Sequence, residues 1–193
     1  MPNWCSTRLT LIGERKDLKA LYKIMRKLES YKKPAVPNGF GTTWLGCLVH
    51  ALGGDWEKVY CRGDWSELEL QADELSFNTM TAWEPCNEVM EFIREKFPSI
   101  SYFYMAEESG LGYYVTNDAE GRFFPYRFKV SICDAESDCY EEDFTSLDDA
   151  LAYIRKCTDS EVSTAEELEA LNERLNELNE DAYCYLEEYK VVK

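Results

Sequence analysis

The sequence has no apolar run that approaches the length of a membrane span, and its single histidine is His50. A membrane-spanning helix needs about 18 to 20 consecutive apolar residues, so we expect no membrane association. The N-terminus also lacks a basic segment followed by an apolar one, which is the pattern of a secretory signal. These absences predict a cytoplasmic protein.

Cys-x-x-Cys pairs are also absent, although the chain of 193 residues contains eight cysteines. Small secreted disulfide scaffolds are shorter and denser in cysteine. Structural zinc sites usually bring their ligands in close pairs. Only Cys47 and His50 form such a pair here, with Cys61 and Cys86 as candidates for the other two ligands. We therefore predict reduced, mostly buried thiols, with no disulfide, no metal and no cofactor.

Positive charge is scarce, since 21 Lys and Arg stand against 37 Asp and Glu and give a net charge of −16. The imbalance is uneven: residues 1–66 carry 11 Lys and Arg with 6 Asp and Glu, whereas residues 67–193 carry 10 and 31. A chain this acidic repels phosphate backbones, so we expect no direct binding to nucleic acid. Composition leaves the oligomeric state open.

An acidic cluster at residues 134–143 has the composition of a calcium loop but not its spacing. An EF-hand needs Gly at its sixth position and Glu at its twelfth. Counted from Asp134, these positions hold Cys139 and Thr145. The cluster is therefore better explained as a solvated hairpin loop.

Cys86 follows Pro85 at a predicted helix N-terminus, where the helix dipole favours a thiolate. A nucleophilic cysteine also needs a general base, and the sequence offers only the distant His50. The pattern favours a partly buried thiol over a catalytic one.

Hydrophobic spacing gives the order of the elements. Side chains alternate along the first strand, with Cys5 and Leu9 on one face, and recur every three or four residues in the helices. The resulting order, β-α-β-β-α-β, is that of a ferredoxin-like fold. The predicted strands of this core are Trp4–Ile12, Leu68–Ala72, Leu75–Ala82 and Ile100–Ala106.

We therefore predict an α+β protein with a ferredoxin-like βαββαβ core, an insertion after the first helix, extra C-terminal strands and two C-terminal helices. The insertion, near residues 30–66, should lie outside this four-stranded unit. Residues 1–132 should form the ferredoxin-like domain with an extended sheet, and residues 133–193 a C-terminal extension packed on the same core. In this topology the strands Trp4–Ile12 and Leu75–Ala82 must be antiparallel neighbours.

The last helix is predicted from a capping box at Ser163 and Glu166, followed by a leucine stripe from Leu168 to Leu178. The stripe covers about two heptads, fewer than the three or four that indicate a coiled coil. We expect this helix to pack on its own domain.

The candidate binding residues are aromatic and acidic side chains that follow two predicted strands. A rigid indole beside carboxylates suits a basic or aromatic side chain of a protein partner. We expect the two strand ends to point in opposite directions, which leaves open whether these residues converge. The candidate residues are Trp83, Glu84, Glu107, Glu108, Tyr113, Asn117 and Asp118.

Four segments within roughly residues 1–130 are similar to a family of plasmid, phage and integrative-element proteins typified by YubB. Thr7 departs from that family, which often has Asn there, and Cys86 stands where it often has Pro or Met. The resemblance implies a ferredoxin-like domain and carriage by a mobile genetic element, and it supplies no catalytic residue. The segments are Met1–Cys5, Thr79–Pro85, Tyr104–Gly110 and Gly112–Asp118.

Three functional classes remain. The sequence favours a non-enzymatic protein-binding module that serves a mobile element. The first alternative is an acidic DNA mimic that occupies a host DNA-binding protein, suggested by the negative balance after residue 66. The second is an enzyme of unknown type, which is disfavoured because no acid, base and nucleophile can be assembled.

Overall fold

The structure, a computed structural model, describes residues 3–134, 136 and 138–192. Met1 and Pro2, which belong to the N-terminal motif, lie outside the described residues. The chain is a mixed α+β protein that divides into two compact units, Met1–Asp118 and Ala119–Lys193. In the described part of the chain, no helix is both long enough and apolar enough to cross a membrane.

In the first unit, neighbouring strands follow the order β2-β3-β1-β4-β5, and each neighbouring pair is antiparallel. The expected antiparallel pairing of β1 with β3 is thus confirmed, and it sets Leu9 opposite Phe77. The elements of this unit are β1 (Trp4–Ile12), α1 (Arg15–Glu29), α2 (Leu45–Ala51), β2 (Gly63–Gln71), β3 (Glu74–Ala82), α3 (Asn87–Lys96), β4 (Ser101–Glu108) and β5 (Tyr113–Thr116).

One face of this sheet forms the core of the first unit. Leu9 and Leu11 of β1 are buried together with their cross-strand partners, Phe77 and Leu75 of β3. α1 packs on the sheet and fully buries Leu21 among other apolar side chains. Because successive side chains of a strand point to opposite faces, the same alternation places the exposed Trp4 of β1 and Met80 of β3 on the other face.

The segment between α1 and β2 contributes buried side chains to the first unit, and the expected end of the insertion at residue 66 is wrong because β2 already begins at Gly63. Leu48 and Val49 of α2 are fully buried, and Trp65 of β2 is 2% exposed. β2 begins at Gly63 rather than at Leu68, and a bulge follows Ser66. A bulge adds one residue to a strand and breaks its alternation, which hid the first half of β2 in the sequence.

The second unit has its own sheet, in the order β7-β6-β8, and its own core. The domain boundary expected after residue 132 is therefore corrected, because β6 does not extend the first sheet. Val130 and Ile132 of β6 pack with Ala150 and Ile154 of α4, which gives this unit an independent apolar cluster. Its elements are β6 (Phe128–Cys133), β7 (Cys139–Phe144), α4 (Leu147–Thr158), α5 (Ala165–Leu178), β8 (Tyr183–Glu188) and β9 (Lys190–Val191).

Cys133 and Cys139 form a disulfide, so the expectation of eight reduced thiols is wrong. The two residues lie directly opposite each other where β6 and β7 pair, with their Cα atoms 4.1 Å apart. Pairing of the strands, rather than a recognisable cysteine motif, brings them together. The other six cysteines are free; Cys157 is exposed and the remaining five are buried.

The last helix packs on its own unit, as expected, but its cap is one residue later. Thr164 Oγ1 accepts a hydrogen bond from the Glu167 N–H at 3.2 Å, and the Glu167 carboxylate accepts one from the Thr164 N–H at 3.0 Å. The predicted box at Ser163 and Glu166 is thus corrected. Leu171 lies in the core of the second unit.

Candidate functional site

The two strand ends that carry the candidate residues lie at the same end of the sheet. β3 and β4 are both antiparallel to β1, so they are parallel to each other and both end beside the start of β1. The expectation that they point in opposite directions is therefore wrong. Asn3 lies next to both ends: its carbonyl accepts a hydrogen bond from the Trp83 N–H at 2.9 Å, and a Cβ on Gly110 would lie 2.7 Å from its Nδ2.

Trp83 is exposed and has an unusual backbone conformation. Its side chain is 44% exposed, and its φ of 69° lies in the left-handed region, which bulky residues rarely adopt. Hydrogen bonds hold the chain on either side: the Tyr60 hydroxyl donates to the Ala82 carbonyl at 2.6 Å, and the Thr81 hydroxyl donates to the Glu84 carbonyl at 2.8 Å. Such strain persists only where the surroundings impose it, so the fold fixes the backbone that carries the indole.

Two further exposed apolar residues, which the sequence analysis did not select, lie on one face of β1 and β3, near the end of β3 that Trp83 follows. Trp4 is 43% exposed and pairs with Ala82, while Met80 is 45% exposed and pairs with Ser6. Trp4 and Met80 are therefore diagonal cross-strand neighbours, within reach of each other's side chains. We call Trp4, Met80 and Trp83 the Trp83 patch. The alternation of β1, which puts Trp4 on the face opposite Cys5, was the signal that could have found it.

Two of the candidate carboxylates, Glu84 and Glu107, differ in their availability. Glu84 has an exposed side chain directly after Trp83. Glu107 is partly buried and pairs with Arg8 at 3.5 Å, so Arg8 offsets its charge. Glu84 is therefore the candidate carboxylate best placed to contact a partner.

Glu108 supports a turn and is not a surface group. Its side chain accepts hydrogen bonds from the backbone N–H groups of Gly110 at 2.8 Å and of Leu111 at 2.9 Å. The residue is 3% exposed. Its carboxylate caps the short 3-10 turn Ser109–Leu111 that connects β4 to β5.

Asn117, Asp118 and Tyr113 also belong to the framework. Asn117 continues the pairing with β4 through its side chain: Oδ1 accepts from the Tyr104 N–H at 2.7 Å, and Nδ2 donates to the Tyr102 carbonyl at 3.0 Å. Asp118 is 1% exposed. Tyr113 is half-buried, and burial raises its pKa to about 12. Only Trp83 and Glu84 of the seven candidates thus present exposed side chains.

The candidate catalytic and metal-binding groups are not assembled into a site. Cys86 is 4% exposed, and burial raises its pKa to about 12, so it stays protonated at neutral pH. Burial also raises the pKa of Cys61 to about 11. Among the described residues, no group of three or more His, Cys, Asp or Glu is placed to hold a metal ion.

The described acidic residues between 134 and 143 lie in the hairpin of β6 and β7, but Glu141, Glu142 and Asp143 belong to the strand β7 and not to a loop. The Asp134 carboxylate accepts hydrogen bonds from the backbone N–H groups of Glu136 at 2.9 Å and Asp138 at 3.1 Å. These bonds organise the connection between the paired strands β6 and β7. The carboxylate thus has a structural task in the turn.

A small cavity lies beside Cys86. It has a volume of about 10 Å³, and its walls include Thr7, Thr79 and Asn87. A cavity of that size holds about one water molecule, so it cannot serve as a substrate pocket.

Comparisons of the chain with protein-family models, with curated proteins and with solved structures found no match.

Proposed function

We propose that this chain is a non-enzymatic protein-binding module whose anchor is Trp83. The proposal rests on the exposed indole of Trp83. The backbone of this residue is held in a left-handed conformation, with its N–H donating a hydrogen bond to the Asn3 carbonyl. Tryptophan is enriched among the residues that dominate binding energies. A residue whose backbone is already held in place loses little backbone entropy when a partner binds.

The surroundings of Trp83 favour a partner segment with basic and aromatic side chains. Trp4 and Met80 provide exposed apolar side chains near the end of β3 that Trp83 follows, and Glu84 provides an exposed carboxylate next to Trp83 in the chain. A cation can lie over the face of an exposed tryptophan while it pairs with a neighbouring carboxylate. An arginine of the partner meets both conditions.

The same proposal includes a ferredoxin-like topology for the first unit and carriage by a mobile genetic element in the cytoplasm. The order β-α-β-β-α-β and the strand order β2-β3-β1-β4 support the topology. The resemblance of the segments Thr79–Pro85 and Tyr104–Gly110 to the YubB-type family supports the carriage. Trp83 itself lies within the first of these segments.

A random peptide library displayed on phage, selected on the immobilised full chain and counter-selected on Trp83→Ala, tests the binding function. We expect enriched peptides to contain Arg or Lys next to an aromatic residue. Trp83→Ala should weaken their binding by at least about tenfold, because a hot-spot residue contributes about 2 kcal/mol or more. Glu84→Gln should weaken the Arg-containing peptides by a smaller factor.

Tyr31→Ala is the matched control, since Tyr31 is an exposed aromatic residue outside the patch, 38% exposed. This variant should bind the selected peptides as the wild type does. Selection that yields no peptide sensitive to Trp83→Ala would contradict the proposal.

A further inference from the structure

The outer face of α1 carries a row of lysines in a chain that is otherwise acidic. We call Lys16, Lys19, Lys23 and Lys27 the lysine stripe; all four side chains are exposed. Lys16 pairs with Glu14 at 2.7 Å, whereas the other three make no ion pair with any residue that the structure describes. Like charges three or four residues apart destabilise a helix, so this row is unfavourable for the isolated chain.

The outer face of α5 carries a row of the opposite sign. We call Glu166, Glu169, Glu173 and Glu177 the glutamate stripe; these side chains are also exposed. Within the described part of the chain, Glu169, Glu173 and Glu177 have no cationic partner. The leucines of the helix, such as the buried Leu171, lie on the opposite face.

The two stripes have the same spacing, of three, four and four residues. Each glutamate follows its lysine counterpart by 150 positions, from Lys16 and Glu166 to Lys27 and Glu177. With a rise of about 1.5 Å per residue, each stripe is about 16 Å long and covers about 80° of its helix surface. If the helices run in opposite directions, the charges still face each other within about one residue rise.

We propose that copies of this chain associate head to tail, with the lysine stripe of one copy against the glutamate stripe of the next. The occupant is a second copy because the complementary spacing occurs in this chain itself. Nucleic acid is a poorer occupant, since its phosphates would match the lysine stripe only in charge, whereas a second copy matches it in both charge and spacing. The proposed contact uses no residue of the Trp83 patch, so the proposal does not rest on the binding function proposed above.

The association is weak and depends on salt. Exposed ion pairs contribute little individually, and joining two molecules costs translational and rotational freedom. Two different surfaces are joined, so assembly continues beyond a dimer unless the copies close into a ring. We expect the average molecular mass to rise with protein concentration at low salt and to fall towards the mass of one chain at high salt.

Sedimentation equilibrium of the full chain at about 0.02 M and about 0.5 M salt measures this change, because the screening length differs severalfold between the two. Lys19→Glu with Lys23→Glu should weaken association at least about tenfold, and so should Glu169→Lys with Glu173→Lys. The four changes together should restore it. An equimolar mixture of the two double variants should associate, although each alone does not.

The double variant Glu169→Lys with Glu173→Lys distinguishes the stripe contact from general charge repulsion between copies. It changes the net charge from −16 to −12, so general repulsion predicts stronger association, whereas loss of the stripe contact predicts weaker association. Lys32→Glu with Lys33→Glu is the matched control, because it makes the same charge change as the α1 variant outside the helix. Circular dichroism checks that the variants fold. Glu and Lys both have a high helix propensity, so exchanging one for the other should preserve an exposed helix.

Three outcomes would overturn the proposal: a wild-type mass that stays that of one chain at low salt, association that survives both double variants, or stronger association of the Glu→Lys variant. Loss of association in both double variants, with recovery of association in the variant that combines all four changes, would establish the proposal. Trp83→Ala should leave the mass unchanged, so failure here does not affect the proposed peptide binding.

Discussion

The backbone N–H of Trp83 donates a hydrogen bond to the carbonyl oxygen of Asn3 at 2.9 Å, and this contact joins the end of β3 to the start of β1. It holds the backbone of Trp83 in a left-handed conformation, and the side chain of this residue is 44% exposed. Bulky side chains adopt that conformation only at a cost, so the surrounding hydrogen bonds must offset it.

Glycine at position 83 should tolerate this backbone better than alanine. Because φ is 69°, a residue with a Cβ atom is strained there, whereas glycine is not. We expect Trp83→Gly to be more stable than Trp83→Ala by about 1 kcal/mol in urea unfolding.

The same two substitutions at Trp4 provide the control, because there the alanine variant should be more stable than the glycine variant. Trp4 lies in the extended strand β1, where glycine is less favourable than alanine by about 0.5–1 kcal/mol. If alanine proves as stable as glycine at position 83, the left-handed conformation does not exist in solution.

The disulfide between Cys133 and Cys139 should be detectable by counting thiols. Protein purified without reductant and denatured should show six reactive thiols rather than eight. Cys133→Ser with Cys139→Ser should lower the free energy of unfolding of the second unit by about 2 kcal/mol, since the bridge closes a short loop in the unfolded chain.

Cys157→Ser is the control for that measurement, because Cys157 is an exposed free thiol. It should leave the free energy of unfolding unchanged and reduce the count by one. Eight reactive thiols in the wild type would show that the bridge does not form.

Asn117 should contribute to stability rather than to binding. Asn117→Ala removes the hydrogen bonds to the Tyr104 N–H and the Tyr102 carbonyl and should lower the free energy of unfolding by about 2 kcal/mol. Asn117→Asp keeps the acceptor but sets a carboxylate oxygen against the Tyr102 carbonyl oxygen, so its loss should be at least as large. Thermal unfolding measures both.

Asn176→Ala is the comparison, since the exposed Asn176 side chain only donates to a carbonyl of its own helix. Its effect should stay within about 0.5 kcal/mol. A larger loss for Asn176→Ala than for Asn117→Ala would contradict the framework role of Asn117.

Cys86 should make stability depend on pH in the alkaline range. Burial raises its pKa from 9.0 to about 12, so above pH 9 the unfolded chain loses this proton while the folded chain keeps it. The stability that the protonated Cys86 contributes to the folded state is fully present below pH 9 and is lost as the pH rises towards 12. At a pH of about 10.5 the loss is about 2 kcal/mol relative to neutral pH.

Urea unfolding at pH 8 and 10.5 should therefore show a smaller decrease for Cys86→Ala than for the wild type. Cys157→Ala, which removes an exposed thiol, should show the same decrease as the wild type. Equal decreases for all three proteins would mean that Cys86 titrates normally in the folded state.

Local periodicity in the sequence determined which elements form and which of their faces are buried. The alternation in β1 placed Leu9 and Leu11 in the core, and Ser146 caps α4 by accepting from the Asp149 N–H, as its spacing indicates. These features depend on residues a few positions apart, so the sequence displays them directly. The spacing of the lysine and glutamate stripes is visible for the same reason.

The tertiary structure decided how those elements are placed. The partners Asn3 and Trp83 are 80 positions apart, and the pairing of Cys133 with Cys139 depends on the register of β6 and β7. Strand pairing is a long-range contact that no local pattern specifies, so the sequence did not reveal that both strand ends meet beside β1. It also did not reveal that Glu108 is buried beneath a turn while Trp83 remains exposed, because burial depends on what the rest of the chain covers.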